Sequence, residues 1–208
     1  MSEHSIIFNS EMVRAILEGR KTETRRVIKN KWGYTTEDWN NALPHNGEKA
    51  VLYQPCYLKV CPRNPNYDEG YIQRRIVPLW DIGDRLWVKE TWQFGSVTHL
   101  TTEPYRSDIL YKADEKVTLP TNIKWRSPIF MPRWVSRISL EITEVRVEKL
   151  QKISQRDIIA EGIEDSQAVF GLSPFIKFMK LWDSLNAKRG YGWDVNPWCW
   201  CISFKRID

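Results

Sequence analysis

The segment from Gly19 to Arg26 concentrates side chains that could serve acid–base chemistry or phosphate binding. It reads Gly-Arg-Lys-Thr-Glu-Thr-Arg-Arg and directly follows a predicted helix. Lys21 and Thr24 would point to opposite faces of a regular strand, so they can converge only if the chain turns after the glycine, whose backbone allows it. Neighbouring arginines would lower the pKa of a desolvated Lys21 and make its amine a better base or nucleophile. The same residues could instead form a basic edge strand, charged to prevent pairing with another chain.

Hydrophobic periodicity predicts the elements that must position this segment. The predicted helices span residues 11–18, with Ser10 as the cap and Gly19 as the left-handed stop, a short stretch between Ser154 and Gly162, and residues 173–186. The predicted strands span residues 6–8, 85–92, 110–113, 136–147 and 198–206. Several non-adjacent strands with three separated helices indicate an α+β domain, which we predict to be a small barrel with the helices packed outside.

Two of the strand patterns carry an additional signal. Glu90 shares the parity of its apolar neighbours, which directs the carboxylate toward the interior, where it could pair with Lys21 or Arg26. In the next long strand the apolar parity changes near Thr143 and Glu144. A change of parity predicts a β-bulge at that point.

Residues 30–80 are expected to be an irregular insertion that lies on a single domain covering residues 1–208. They contain five prolines, three glycines and many asparagines, a composition typical of loops. We expect the segment to be mostly loop and to be attached to the domain by burial of Trp39, Tyr53 or Trp80.

Composition and charge exclude several classes of protein. The chain has 208 residues, 42% of them hydrophobic, and eleven tryptophans, which is enough apolar surface to exclude a largely disordered chain. No apolar run reaches the roughly 18 residues of a membrane span, and the N-terminus lacks the pattern of a signal peptide. We therefore expect a cytoplasmic protein with no membrane partner. The net charge of +5 permits a polyanionic partner without requiring one.

A second basic series is interleaved with aromatic residues. Its cations are Lys124, Arg126, Arg133 and Arg137, and its rings are Trp125 and Trp134. Cations that alternate with flat rings suit phosphates and stacked bases. The alternative is a solvated charged face beside ordinary core tryptophans.

The histidines and cysteines do not predict a metal site. The three histidines are scattered through predicted loops. Cys56, Cys61, Cys199 and Cys201 could in principle supply four thiolates to zinc, but the last two stand two residues apart on a predicted strand, an awkward spacing for a tetrahedral ion. We expect buried thiols, no metal and no cofactor.

The spacing Gly19-x-Lys21-x-x-Thr24-x-Arg26 after a short helix resembles the signature of the ASCH domain, a branch of the PUA-like β-barrel superfamily. Further blocks fit the same resemblance, and they span residues 83–92, 131–134, 138–147, 157–162 and 196–204. In this order they resemble the longer ASCH proteins of phages and prophages over nearly the whole chain, apart from the insertion. The resemblance implies an α+β fold built on a PUA-like small β-barrel with peripheral helices.

The resemblance also implies a chemistry. A small bacterial ASCH protein is an amidohydrolase that removes the acetyl group from N4-acetylcytidine with a lysine, a threonine and a glutamate. The motif places the first two on Lys21 and Thr24, and the third falls on Glu161, just before Gly162. We therefore expect a metal-independent amidohydrolase that acts on an N4-acylated cytidine-like base in a nucleoside or in RNA.

Five further residues are expected to bind the substrate, and they are Gly19, Arg26, Glu90, Trp92 and Arg133. Arg26 would stabilise an oxyanion or hold a phosphate. Because they would line a cleft and not a core, Lys21 and Thr24 are expected to tolerate alanine with little loss of stability.

Two other functions fit the same sequence. A non-catalytic module that binds RNA or a modified base needs the basic and aromatic surface but not the convergence of Lys21, Thr24 and Glu161. A single-strand ribonuclease, an activity described for other ASCH proteins, could use Lys21, Arg26 and Glu161 without Thr24. Glu161 could also be an ordinary solvated side chain in the last turn of a helix. The distinguishing observation is whether lysine, threonine and a carboxylate meet within hydrogen-bond reach.

Overall fold

Nine strands and three helices are present in the part of the chain that the structure describes. The computed structural model describes residues 1–29, 78–95, 109–114, 124–164 and 173–207, together with the backbone of residues 52–57 and 71–76. The strands are β1 (Glu3–Ile7), β2 (Glu23–Val27), β3 (Leu52–Tyr57), β4 (Tyr71–Ile76), β5 (Arg85–Lys89), β6 (Trp92–Phe94), β7 (Ile109–Tyr111), β8 (Ser139–Lys149) and β9 (Trp198–Arg206). The helices are α1 (Ser10–Leu17), α2 (Gln155–Ala160) and α3 (Pro174–Asn186).

Five of these strands form the main sheet, in the order β1-β5-β8-β9-β2. β1 runs parallel to β5, and the other neighbours are antiparallel. The mixed helix-and-sheet architecture is confirmed, and the segment after Gly19 supplies β2 to the sheet that β1, β5, β8 and β9 form. Among the described strands, the ladder ends at β1 and β2, and no backbone pairing joins these two edges.

The remaining strands form two small antiparallel sheets, β3 with β4 and β6 with β7. The first lies inside the predicted insertion, so the expectation of a mostly irregular segment was wrong at residues 52–57 and 71–76. The β-branched and aromatic residues of these two strands favour strand pairing more than the single proline of β3 opposes it. Trp80 packs against the main core, as predicted. Trp39 and the side chain of Tyr53 lie outside the described residues.

Alternation along β8 and β9 builds the main core. Leu140 and Ile142 on β8, with Ile202 and Phe204 on β9, are at most 3% exposed and pack against α1. Burying each such side chain contributes about 1.5–3 kcal/mol. The register of β8 shifts between Ile142 and Glu144. This shift confirms the predicted bulge and lets the strand continue with the opposite parity.

A second core cluster fixes the two C-terminal helices. Ile158 of α2 packs with Phe178 and Trp182 of α3, and with Leu150 and Trp193 beneath them. α2 is therefore held by its apolar face, although it is only six residues long. Its end, where Glu161 lies, is fixed in space by this packing.

The predicted helix ends are confirmed except at the start of α1. Asn9, and not Ser10, is the N-cap, since its side chain accepts a hydrogen bond from the Met12 amide at 2.8 Å. Ser154 and Asp157 form a capping box at the start of α2, and Gly19 adopts a φ of +74° after α1. None of the described helices is long and apolar enough to cross a membrane.

Replacing Asn9 by alanine should lower the free energy of unfolding by about 1 kcal/mol, because the Met12 amide would lose its acceptor. Ser10→Ala is the matched control and should change stability little, since serine is already inside the helix. Urea unfolding of both variants measures the difference. Equal losses, or a larger loss for Ser10→Ala, would show that the cap is assigned to the wrong residue.

Candidate functional site

Lys21 and Glu161 form a buried ion pair between the start of β2 and the end of α2. The Lys21 Nζ atom lies 2.6 Å from Glu161 Oε2, and the two side chains are 0% and 6% exposed. Local turns bring them together. The amide of Lys21 donates to the Ala15 carbonyl at the end of α1, and the amide of Thr22 donates to the Ala160 carbonyl at the end of α2. The turn at Gly19 thus connects two helix ends through one lysine.

The ion pair also occupies the open edge of β2. Thr24 pairs with Ile202 of β9, so the backbone groups of Glu23 and Arg25 face away from the sheet. Lys21 Nζ donates to the Glu23 carbonyl at 2.8 Å, and the Arg25 amide donates to Glu161 Oε1 at 2.7 Å. The two side chains therefore take the hydrogen-bonding positions that a neighbouring strand would fill.

Three oxygen atoms surround the Lys21 ammonium. They belong to the Glu161 carboxylate and to the carbonyls of Glu161 and Glu23, all within 2.8 Å of Nζ. Burial lowers the pKa of Lys21, and the Glu161 carboxylate opposes this shift. The resting pair is an ammonium and a carboxylate, because three acceptors satisfy three N–H groups. The proton on Lys21 is nevertheless easier to remove than that of a surface lysine.

The expected tolerance of Lys21 to alanine is therefore wrong. Its side chain is fully buried, and removing it would leave the Glu161 carboxylate without its closest cation. Breaking a buried ion pair on one side costs about 3–5 kcal/mol. The sequence did not reveal this because the partner is 140 residues away.

Arg25 supports the pair from the outer face of β2, although it is not among the predicted site residues. Its side chain is 0% exposed, and its guanidinium binds the carboxylates of Glu23 and Asp157 at 2.5 and 3.1 Å. It also lies 3.7 Å from the Glu161 carboxylate. Arg146 of β8 binds Glu23 from the other side at 2.9 Å. The sequence signal that could have identified Arg25 was strand alternation, since either Thr24 or Arg25 must face away from the core.

Thr24 and Arg26 lie on the opposite, core-facing side of β2. Thr24 is 3% exposed, and no hydrogen bond joins its hydroxyl to another described residue. The Arg26 guanidinium lies 5.1 Å from the centre of the Phe8 ring and donates to the Ile7 carbonyl at 2.8 Å, while Lys21 Nζ lies 5.6 Å from the same ring. Burial lowers the pKa of Arg26. Lys21, Arg26 and Phe8 thus form one cluster at this end of the sheet.

The expected convergence is realised for two of the three catalytic candidates. Lys21 and Glu161 are in direct contact, whereas the Thr24 hydroxyl bonds to neither. Thr24 lies between them along the backbone, because Lys21 binds the carbonyl before it and Glu161 binds the amide after it. The structure holds the threonine backbone from both sides and leaves its hydroxyl without a described partner.

The other predicted binding residues lie apart from this cluster. Glu90 is 1% exposed and forms two hydrogen bonds of 2.9 and 3.1 Å with Arg137, so the suggested pairing with Lys21 or Arg26 was wrong. Arg137 lies just before β8, the strand that pairs with β5, and this places its guanidinium beside the Glu90 carboxylate. Burial raises the pKa of Glu90, and Arg137 opposes the shift.

Trp92 is buried in a third cluster with Tyr111 and Met131. Arg133 lies on the surface, where its guanidinium binds Glu3 at 2.8 Å. Gly19 occupies an exposed turn. Of the predicted binding residues, Arg26 shares the Phe8 ring with Lys21, whereas Glu90 and Trp92 are buried in other contacts.

A cavity of about 400 Å³ opens on the surface beside the ion pair. Arg20 and Gly162 belong to its wall and separate it from the pair, and the Arg20 guanidinium donates to the Gly162 carbonyl at 2.9 Å. The rest of the lining carries charges of both signs, from Glu11, Arg14, Glu18, Glu164 and Lys177. Neither Lys21 nor Glu161 lines this cavity.

Metal ligands are not clustered in the described part of the chain. No group of three or more His, Cys, Asp or Glu side chains there could hold a metal ion. Cys199 and Cys201 are buried free thiols, and burial raises the pKa of both. They are therefore protonated at neutral pH and are poor zinc ligands. The side chain of Cys56 and the whole of Cys61 lie outside the described residues.

Comparison with known proteins gives no match. No protein-family model matches the chain, and no curated protein or solved structure is significantly similar to it.

Gly162→Ala should lower the free energy of unfolding by more than backbone strain alone, because the added methyl group would also crowd Lys21. Gly162 has a φ of +89°, and an added Cβ would lie 2.9 Å from Ala15 Cβ and 3.0 Å from Lys21 Cβ. We expect a loss of about 2–4 kcal/mol in the free energy of unfolding, from strain together with overpacking.

Gly190→Ala is the matched control, because Gly190 has a φ of +81° and no atom within 4 Å of an added Cβ. Its loss should be only the strain of about 1–2 kcal/mol. Denaturant unfolding compares the two variants. Equal losses would mean that the close approach of Gly162 to Lys21 places no demand on the structure.

Proposed function

We propose that this chain is a metal-independent amidohydrolase that removes the acyl group from an N4-acylated cytidine-like base, in a nucleoside or in RNA. The proposal includes the PUA-like barrel of ASCH proteins as the fold and the cytoplasm as the compartment. The observation that carries it is the direct contact of Lys21 with Glu161 around the backbone of Thr24. These are the three residues that the ASCH resemblance selects.

The electrostatics of the pair support a role in proton transfer. Burial lowers the pKa of Lys21, and the Glu161 carboxylate is 2.6 Å from its nitrogen, a distance over which a proton can pass. Transfer from Lys21 to Glu161 yields an amine that can act as a base and a carboxylic acid that can act as a proton donor. Burial favours the neutral amine of Lys21, because it penalises the charged form.

The proposed reaction uses these two states in turn. The Lys21 amine takes the proton of the Thr24 hydroxyl or of a water molecule, and the resulting oxygen nucleophile attacks the acyl carbon. The bond between that carbon and the exocyclic nitrogen breaks, and protonated Glu161 gives its proton to the leaving amine. If Thr24 attacks, a water molecule then hydrolyses the acyl ester and releases the carboxylic acid. Arg26, which shares a face of β2 with Thr24, stabilises the oxyanion or holds a phosphate.

A second candidate is a non-catalytic module for RNA or a modified base. The observation in its favour is that all three donors of Lys21 are used within the protein and that its side chain is 0% exposed. In this case the ion pair only shapes the edge of β2, and Arg26 contacts the ligand.

Thr24 offers the sharpest test, because its substitution leaves the ion pair intact. Thr24→Val keeps the shape of the buried side chain and removes a hydroxyl that has no described hydrogen bond, so it leaves no described partner unsatisfied, and stability should change by less than about 1 kcal/mol. Release of acetate from N4-acetylcytidine should fall by about a hundredfold or more, while Thr24→Ser, which restores a hydroxyl, should retain most of the rate.

The outcomes separate the candidate functions. Equal rates for wild type and Thr24→Val would show that the threonine hydroxyl takes no part in the reaction. A wild-type protein that binds the nucleoside but releases no acetate would replace the hydrolase with the binding module. Cleavage of single-stranded RNA without acetate release would identify a ribonuclease.

A further inference from the structure

A surface of two exposed rings, two half-buried rings and two cations lies on the side of the molecule formed by β5, β6 and the segment that precedes β8. We call it the aromatic–cationic surface, and its residues are Trp87, Phe94, Arg126, Phe130, Arg133 and Trp134. Phe130 is 75% exposed, and Trp134 is 48% exposed. Isolated exposed rings are ordinary in proteins, but a contiguous set of them marks an interaction site.

Contacts between the rings and the cations connect five of these residues, and Phe130 stands shortly before Arg133 in the same segment. The Arg126 guanidinium lies 4.9 Å from the centre of the Phe94 ring, and Phe94 stacks on Trp134 at 6.3 Å with an interplanar angle of 27°. At the other end, the Arg133 guanidinium lies 5.9 Å from the Trp87 ring. Adjacent residues Arg133 and Trp134 join the two halves.

The segment that carries these side chains is fixed to the domain from beneath. Met131 and Val135 are 1% and 0% exposed and pack with Trp92 in the third cluster. The ammonium of Lys89 donates to the Ile129 carbonyl at 2.8 Å. The exposed rings are therefore displayed on a rigid support, which reduces the entropy lost when a ligand binds.

The charge of the surface favours an anionic occupant. Arg126 is exposed, and its guanidinium makes no hydrogen bond or ion pair with a described residue, so its side-chain N–H groups can bind phosphate. Lys89 and Arg133 add positive charge, which Glu3 offsets only in part, through its contact with Arg133. Three cations of the same sign, Lys89, Arg126 and Arg133, lie among flat rings, and this combination suits the phosphates and bases of a single strand.

We propose that the aromatic–cationic surface binds single-stranded nucleic acid, with bases stacked on Phe130 and Trp134 and the phosphate backbone held by Arg126. Single strands expose the flat faces of their bases, while a duplex hides them in its stack. The inference needs no catalytic activity and stands apart from the proposed hydrolase, because it involves neither Lys21 nor Glu161. It assigns a function to the basic and aromatic series that the candidate site leaves unused.

Fluorescence anisotropy of a labelled ten-nucleotide oligo(U), with the full-length chain, tests the proposal. Phe130→Ala and Trp134→Ala should each raise Kd by about tenfold, the effect of losing one stacked base. Phe175→Ala on α3 is the matched control, since Phe175 is 43% exposed and lies on another element. It should leave Kd unchanged.

Salt dependence tests the phosphate contact. Arg126→Gln should reduce the slope of log Kd against log salt by about 0.7, the value for one phosphate contact on a single strand. Lys188→Gln, an exposed residue with the same change of charge, should leave the slope unchanged. A parallel titration with oligo(dT) shows whether binding requires the 2′-hydroxyl. A titration with an RNA duplex shows whether binding requires exposed bases.

Several results would overturn the inference. They are equal affinity for duplex and single strand, an unchanged Kd in both ring variants, and the absence of binding at low salt. Self-association of the protein that Phe130→Ala abolishes would assign the surface to a second copy of the chain instead. Acetate release from the free nucleoside is measured separately, so a failure of this proposal is distinguishable from a failure of the hydrolase.

Discussion

The hydrogen bonds from the Lys21–Glu161 pair to the edge of β2 are the interaction on which the rest of the site depends. β2 is the last strand of the main sheet, so one side of its backbone has no neighbouring strand among the described residues. The pair supplies a donor to the Glu23 carbonyl and an acceptor to the Arg25 amide. Removing two charges from water is costly, and it is tolerated only where the remaining hydrogen-bonding capacity is satisfied. Here Lys21 meets three acceptors and Glu161 meets donors at both oxygens.

Side chains of β2 alternate between its two faces, and the two faces have different roles. Glu23 and Arg25 face an ionic network with Arg146 and Asp157, which connects β2 to β8 and α2. Thr24 and Arg26 lie on the other face, toward the core and the Phe8 ring. The network therefore supports the strand from behind while the other face presents a hydroxyl and a guanidinium. Such separation of support from reactive groups is how a rigid scaffold holds a site in one geometry.

Local patterns predicted the elements well wherever hydrophobic alternation or a cap was strong. The bounds of β9, the start of α3, the capping box of α2 and the bulge in β8 all follow from residues adjacent in sequence. Ser10 was assigned as the cap of α1 because both Asn9 and Ser10 are good capping residues. Composition alone concealed β3 and β4, since prolines and asparagines around them outweighed a short strand pattern.

The partners of charged residues could not be predicted in the same way. Glu90 was correctly placed inside, yet its partner Arg137 is 47 residues away and was not selected. Glu161 was suggested only by the family resemblance, because a glutamate before a terminal glycine is usually solvated. Burial of Lys21 depends on two helix ends meeting at one point, which no local pattern encodes. Sequence thus predicted which side chains were unusual, while the fold decided which of them meet.

A double-mutant cycle on the ion pair tests the central claim most directly. The free energies of unfolding are measured for wild type, Lys21→Met, Glu161→Gln and the double variant. If the pair caps β2 as described, each single substitution should cost about 3–5 kcal/mol, since it leaves a buried partner unsatisfied. The double variant should then cost less than the sum of the two by about 2 kcal/mol or more. Losses that add to within about 0.5 kcal/mol would show that the two residues act independently, and this would contradict the account.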